Sequence, residues 1–179
     1  MSRIRLATTW LDGCSGCHMS LLDIDERLIE ILSRVDIVYS PIVDVKQFPE
    51  DVDVTLVEGA VSSEDDIEKI RYIRKRTATL ISLGDCAVTA NVPAMRNRFA
   101  VNDLLDRAYR ENAVRPLEGK THEAVVPHLH RSARPVHEVV KVDVYVPGCP
   151  PHADTIYFVL NELLNGCFPD LTGKTRFGI

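Results

Sequence analysis

Short β-branched runs, separated by segments of helical period, constrain the fold of this chain more than any other feature. Ile4–Thr9, Val35–Val43, Val52–Val57, Thr79–Leu83 and Val142–Val146 read as strands. Pro41 places the end of the second run near a sheet edge or shortens it. Between the strands, Met19–Ser33 repeats Leu21, Leu22, Leu28, Ile29 and Leu32 at helical spacing. Ser62 or Ser63, followed by Glu64, Asp65 and Asp66, starts a helix whose buried face is marked by Ile67, Ile70 and Ile73. Pro93 opens a helix reaching to near Arg110, and His152–Leu164 is the last one. This alternation predicts an α/β fold, a doubly wound parallel sheet.

A chain of 179 residues is expected to form a single domain over 1–179. Residues Ala113–Val140 have no clear period and carry Pro116, Pro127 and Pro135. The stretch 113–140 therefore reads as a long ordered loop of the kind that contacts a partner subunit.

With a net charge of −5, nothing suggests a face for nucleic acid. The basic run Arg71, Arg74, Lys75 and Arg76 falls on a predicted helix and reads as a solvated face. No apolar stretch is long enough for a membrane span, and the start MSRIRLATTW lacks the pattern of an export signal. The expectation is a cytoplasmic protein, where clustered cysteines bind metals more often than they form disulfides.

Four of the five cysteines follow predicted strands: Cys14 and Cys17 the first, Cys86 the fourth, Cys149 the last. Loops leaving the carboxyl ends of parallel strands converge on one edge of the sheet, so these thiols are expected to meet. Cys14-Ser15-Gly16-Cys17 is a C-x2-C pair, and Gly13 and Gly16 let backbone N–H groups approach the sulfurs. Prolines behind Cys149 stiffen its loop. By spacing alone three readings stand: a [4Fe–4S] cluster, a zinc site, or unrelated buried cysteines. A thioredoxin-type redox pair would leave Cys86 and Cys149 unexplained. Cys167, beyond the last helix, reads as a buried structural thiol.

The run Trp10-Leu11-Asp12-Gly13-Cys14-Ser15-Gly16-Cys17-His18-Met19-Ser20 resembles the small subunit of [NiFe] hydrogenases. So do Val57-Glu58-Gly59-Ala60-Val61, Gly84-Asp85-Cys86-Ala87 and Val146-Pro147-Gly148-Cys149-Pro150-Pro151. Within that family the chain looks most like the cytoplasmic NAD-reducing (bidirectional) branch, and it is related to the 20-kDa-type subunit of respiratory complex I. The resemblance implies a flavodoxin-like fold with one [4Fe–4S] cluster on Cys14, Cys17, Cys86 and Cys149 at the carboxyl ends of the strands. It implies an electron-transfer subunit whose large-subunit partner carries the Ni–Fe centre. Diaphorase partners would hold FMN, NAD and further iron–sulfur clusters, the whole complex converting H2 and NAD+ to H+ and NADH. After Cys149 only Cys167 remains, so one cluster is all these cysteines can ligate. No G-x-G-x-x-G follows any strand, which sends NAD to another subunit.

Two alternatives keep the same site: a subunit of another cytoplasmic [NiFe] hydrogenase, or of a complex-I-like quinone-reducing module. Complex I subunits typically have adjacent cysteines in the first motif, and Cys14-Ser15-Gly16-Cys17 departs from that. Cys14 and Cys17 occupy the loop where flavodoxin holds phosphate, which speaks against a tightly bound flavin here. The resemblance gives Glu58 a part in proton movement between subunits; read alone, it is a capping or surface carboxylate. His122, His128, His130 and His137 crowd the 113–140 stretch and read as interface residues rather than metal ligands. His18 either donates a hydrogen bond near the cluster or packs, and Asp12 and Asp85 are expected to cap their loops.

Overall fold

The structure, a computed structural model, describes residues 3–115 and 126–175. Its central sheet holds five parallel strands: β1 (Ile4–Trp10), β2 (Val35–Tyr39), β3 (Val52–Glu58), β5 (Thr77–Leu83) and β7 (Val144–Val146). The order is β2-β1-β3-β5-β7, the doubly wound arrangement of flavodoxin-like folds. A separate antiparallel pair joins β4 (Val61–Ser63) to β6 (Leu129–Arg134).

Both faces of the sheet are covered, which is why β3 is buried along almost its whole length. On one face Leu6, Leu56, Ile81, Leu83 and Val146 pack with Ile156 and Leu160 of α6 (Ala153–Leu164). The helices α1 (Gly16–Leu22) and α2 (Arg27–Arg34) close the same layer through Leu21 and Ile31. On the other face Ala7, Val57 and Leu80 meet Ile70 and Ile73 of α3 (Glu64–Arg74). Side chains as buried as Leu56 and Ile81 each contribute about 1.5–3 kcal/mol relative to exposure.

The expected start of α3 is present as a capping box. Ser63 Oγ accepts from Asp66 N, and the Asp66 carboxylate accepts from Ser63 N at 2.9 Å. The basic run on this helix is not simply solvated. Arg74 pairs with Asp143 at 2.6 Å and donates to the Ala78 carbonyl at 2.9 Å, and the Arg76 guanidinium lies 3.5 Å over the Tyr72 ring.

Two predicted helices are broken. Met19–Ser33 splits between α1 and α2 at Asp25, whose φ of 56° turns the chain so that Ile24 enters the core at 1% exposure. The segment from Pro93 forms a 3-10 turn to Arg98, then α5 (Val101–Asp106), then a wider turn over Arg107–Glu111. None of these pieces buries a residue fully. Instead Arg96 donates to His130 O at 2.9 Å, and Asn97 exchanges two hydrogen bonds with Ala133 at 2.9 and 2.7 Å.

Those contacts explain a second difference. The 113–140 stretch, expected as one long loop, contains β6 and a 3-10 turn over Val136–Glu138. The partner of β6 is the three-residue β4, too short to announce itself in the sequence. His122 lies outside the described residues. His128 and His137 are exposed and His130 is half-buried on β6.

Candidate metal centre

The loops leaving β1, β5 and β7 meet at one end of the sheet. Cys14 lies in the loop after β1 and Cys17 at the start of α1. Cys86 opens α4 (Asp85–Thr89) directly after β5, and Cys149 follows β7. Backbone bonds lash these loops together. Gly84 N donates to Val146 O at 2.8 Å and Asp85 N to Gly148 O at 2.9 Å. Asp85 Oδ1 accepts from Gly148 N at 2.7 Å, so it caps the loop of Cys149 as expected. Asp12 accepts from Ser62 Oγ, while Asp12 and Ala60 exchange backbone bonds at 3.0 and 2.7 Å.

Close approach dictates glycine at one junction. Gly84 has φ 83° and ψ 161°, a conformation essentially confined to glycine. A Cβ there would stand 2.2 Å from Cys17 Sγ.

The thiols differ in exposure: Cys17 is buried, Cys86 half-buried, and Cys14 and Cys149 exposed. Burial pushes the Cys17 thiol well above its ordinary pKa, and the charges of Glu58, Cys86, Cys14 and Cys149 push it further. Cys86 is also raised, by burial first and then by Cys149, Cys14 and Glu58, against the opposing N–H of Val92. The other three cysteines thus act on Cys17, and Cys14 and Cys149 act on Cys86. Yet among the described residues no three His, Cys, Asp or Glu side chains are gathered as the ligands of a single ion would be.

Beneath the cysteines sits a buried polar pair. Glu58, at the end of β3, is 2% exposed and His18 is 1% exposed. Glu58 Oε2 lies 2.5 Å from His18 Nδ1 and accepts from His18 N at 2.9 Å, while Oε1 accepts from Cys17 N at 3.3 Å. The other ring nitrogen of His18 meets Thr8 Oγ1 at 3.0 Å, and that hydroxyl donates to Ser40 Oγ at 2.8 Å. Trp10 stands edge-on to the imidazole with centroids 5.3 Å apart. The carboxylate thus holds the first turn of α1, and with it Cys17. Glu58 is not a surface group; it caps the first turn of α1 from the end of a neighbouring strand, and His18 hydrogen-bonds beside the cysteines rather than only packing. The sequence placed each residue near the cysteines but carried no signal for their pairing across forty positions.

Cys167 overturns an expectation. Its thiol is exposed, because α6 ends at Leu164 and Gly166, with φ 75°, turns the chain away from the core.

Comparison with known proteins gives a consistent picture. Residues 14–163 match the family described as NADH ubiquinone oxidoreductase, 20 Kd subunit. The NAD-reducing hydrogenase HoxS subunit delta of Cupriavidus necator is 43% identical over 167 residues, covering 92% of this chain and 80% of that protein. A subunit of the F420-non-reducing hydrogenase vhu of Methanocaldococcus jannaschii is 37% identical over 172 residues, 96% of this chain but 59% of that protein. Among solved structures, a chain of an NAD+-reducing [NiFe]-hydrogenase in the H2-reduced state superposes with a TM-score of 0.89 at 36% identity, covering 98% of this chain and 99% of that one. A [NiFeSe] hydrogenase chain from Desulfovibrio vulgaris Hildenborough shares the fold, with a TM-score of 0.60 at 18% identity over 92% of this chain and 60% of that one.

Proposed function

The chain belongs to the NADH ubiquinone oxidoreductase 20 kDa subunit family, and from that premise we propose that it is the electron-transfer small subunit of an NAD-reducing [NiFe] hydrogenase. It acts as one domain, with Cys14, Cys17, Cys86 and Cys149 as ligands of a single [4Fe–4S] cluster. The single observation that carries this reading is the convergence of the loops bearing Cys14, Cys17, Cys86 and Cys149 at one end of the parallel sheet, joined there by Gly84 N to Val146 O and Asp85 N to Gly148 O. One C-x2-C pair with two single, distant cysteines suits a cube of iron and sulfide better than structural zinc, which usually takes two close pairs.

Such a cluster supplies one-electron exchange between a partner's Ni–Fe centre and a diaphorase chain that ends at flavin and NAD. The residues of this chain do the positioning. Glu58 fixes the N–H groups of Cys17 and His18, Asp85 fixes the loop of Cys149, and Gly84 leaves room for Cys17 Sγ. Glu58 Oε2, shared with His18 Nδ1, is the atom we assign to proton passage between subunits. Val92, Met95 and Phe99, at 59%, 68% and 57% exposure, lie just beyond Cys86 and suit burial under the large subunit. The 113–140 stretch is assigned to a subunit contact as well.

No helix among the described residues is long and apolar enough to cross a membrane, and we place the complex in the cytoplasm. The likeness to a chain of an F420-non-reducing hydrogenase keeps a second reading, a small subunit serving another acceptor in a cytoplasmic [NiFe] hydrogenase. A complex-I-like quinone-reducing module is disfavoured by the separation of Cys14 from Cys17.

The test is the assembled complex with and without Cys86→Ser. The wild type is expected to reduce NAD+ with H2, and the variant to lose about four irons and four sulfides per complex together with that activity. Unchanged iron and activity would overturn the assignment of ligands. Activity towards another acceptor but not NAD+ would overturn the NAD assignment and leave the cluster standing.

A further inference from the structure

Beside the carboxyl ends of β1 and β2, a cleft of about 560 Å³ has no cysteine in its lining and no part in the electron path. Its size falls in the range of small-ligand sites, roughly 300–1,000 Å³. Tyr39, Phe48 and Tyr72 form its aromatic walls, with Lys46 and Lys69 among them. Phe48 is 8% exposed and stands edge-on to Tyr39 with centroids 5.1 Å apart. The Arg76 guanidinium, 3.5 Å over the Tyr72 ring, holds that wall in place.

The two ammonium groups are differently rooted but similarly underused. Lys69 Nζ donates to Trp10 O, at the end of β1, at 3.0 Å. Burial lowers its pKa while Asp66 opposes, yet no carboxylate forms an ion pair with it among the described residues. Lys46 Nζ donates to Val43 O at 3.3 Å. An ammonium has three donors, so each lysine keeps capacity for an anion. A larger cavity of about 720 Å³ beside Cys149 differs in this respect. There Arg27 is already paired with Asp154 at 2.6 Å, and Lys174 lies 4.3 Å over the Phe158 ring.

Aromatic walls with unpaired cations select a flat ring that carries a negative group. The cleft lies at the β2 edge of the sheet, between the end of β2 at Tyr39 and the α3 side chains Lys69 and Tyr72. We propose that this cleft binds a nucleoside phosphate, with its ring on the wall of Tyr39, Phe48 and Tyr72 and its phosphate on Lys46 and Lys69.

Equilibrium dialysis of the assembled complex against labelled AMP tests this, with NADH saturating to fill any dinucleotide site in a partner. The expected result is one AMP bound per copy of this chain, weakened at least about tenfold by Lys69→Met and likewise by Lys46→Met. Tyr72→Ala is expected to weaken AMP while leaving the affinity for inorganic phosphate unchanged. H2-dependent NAD+ reduction without AMP should be the same in all variants, which verifies assembly; the exposed Lys46 keeps the test decisive should Lys69→Met fail to assemble. Absence of AMP binding in the wild type, as when a partner's side chain fills the cleft, would overturn the proposal. So would equal binding by wild type and Lys46→Met. Phosphate competing as strongly as AMP itself would reduce the cleft to a simple anion site and overturn the nucleoside assignment.

Discussion

His18 Nδ1 and Glu58 Oε2 are hydrogen-bonded at 2.5 Å with both side chains almost wholly out of solvent. Neighbours in space but not in sequence, they tie the first turn of α1 to the end of β3 directly under the cysteines. The same carboxylate accepts from two backbone N–H groups, those of Cys17 and His18. Replacing it therefore disturbs structure and proton handling by different routes.

Glu58→Ala leaves those buried donors without an acceptor. It is expected to destabilise the chain by roughly 3–5 kcal/mol, read as a lower denaturation midpoint and a lower iron content of the purified complex. Glu58→Gln keeps an acceptor oxygen and most of the shape. It should retain iron while H2-dependent NAD+ reduction falls, which separates proton passage from folding. Equal iron loss in both variants would leave Glu58 a purely structural role.

Gly84→Ala puts a Cβ where Cys17 Sγ stands and forces a conformation that alanine rarely adopts. Expected is a complex that lacks the iron held here, measured by iron and sulfide analysis and by low-temperature EPR after reduction. Full iron content in this variant would show that the thiol can move aside freely.

Cys167→Ser should change neither iron content nor activity, because that thiol is exposed on the chain beyond α6 and not at the strand ends. Any of Cys14→Ser, Cys17→Ser or Cys149→Ser should lower both. A loss of iron in the Cys167 variant would contradict the ligand set.

Asp143 links stability to pH. Burial pushes its carboxyl up, but the Leu80 N–H at 2.9 Å and Arg74 at 2.6 Å outweigh burial and hold it below the ordinary carboxylate value. A depressed native value contributes stability that is fully present above the unfolded value of about 4 and lost as pH falls through the native one. Asp143→Asn should therefore lower the Tm at pH 7, with the gap from wild type closing below about pH 4. A gap independent of pH would place the effect in shape rather than charge.

The sequence by itself determined the class of fold and the location of the thiols. Alternating β-branched runs and helical repeats dictate a sheet wrapped on both faces, since period 2 and period 3.6 leave different apolar surfaces to bury. Cysteines at the ends of parallel strands must share an edge, whatever the loops between them do. Short elements escaped, because three residues such as β4 carry no period and owe their form to β6, some seventy positions away. Helix continuity escaped for a similar reason, as burying Ile24 and anchoring Arg96 and Asn97 on β6 outweigh local propensity. Only the tertiary structure decided that Glu58 and His18 pair, that Lys69 stands among aromatic rings, and that Cys167 faces solvent. Each of these is a contact or exposure set by the packing of segments distant in the chain. Contacts of that kind depend on distances in space, which residue type and spacing do not encode.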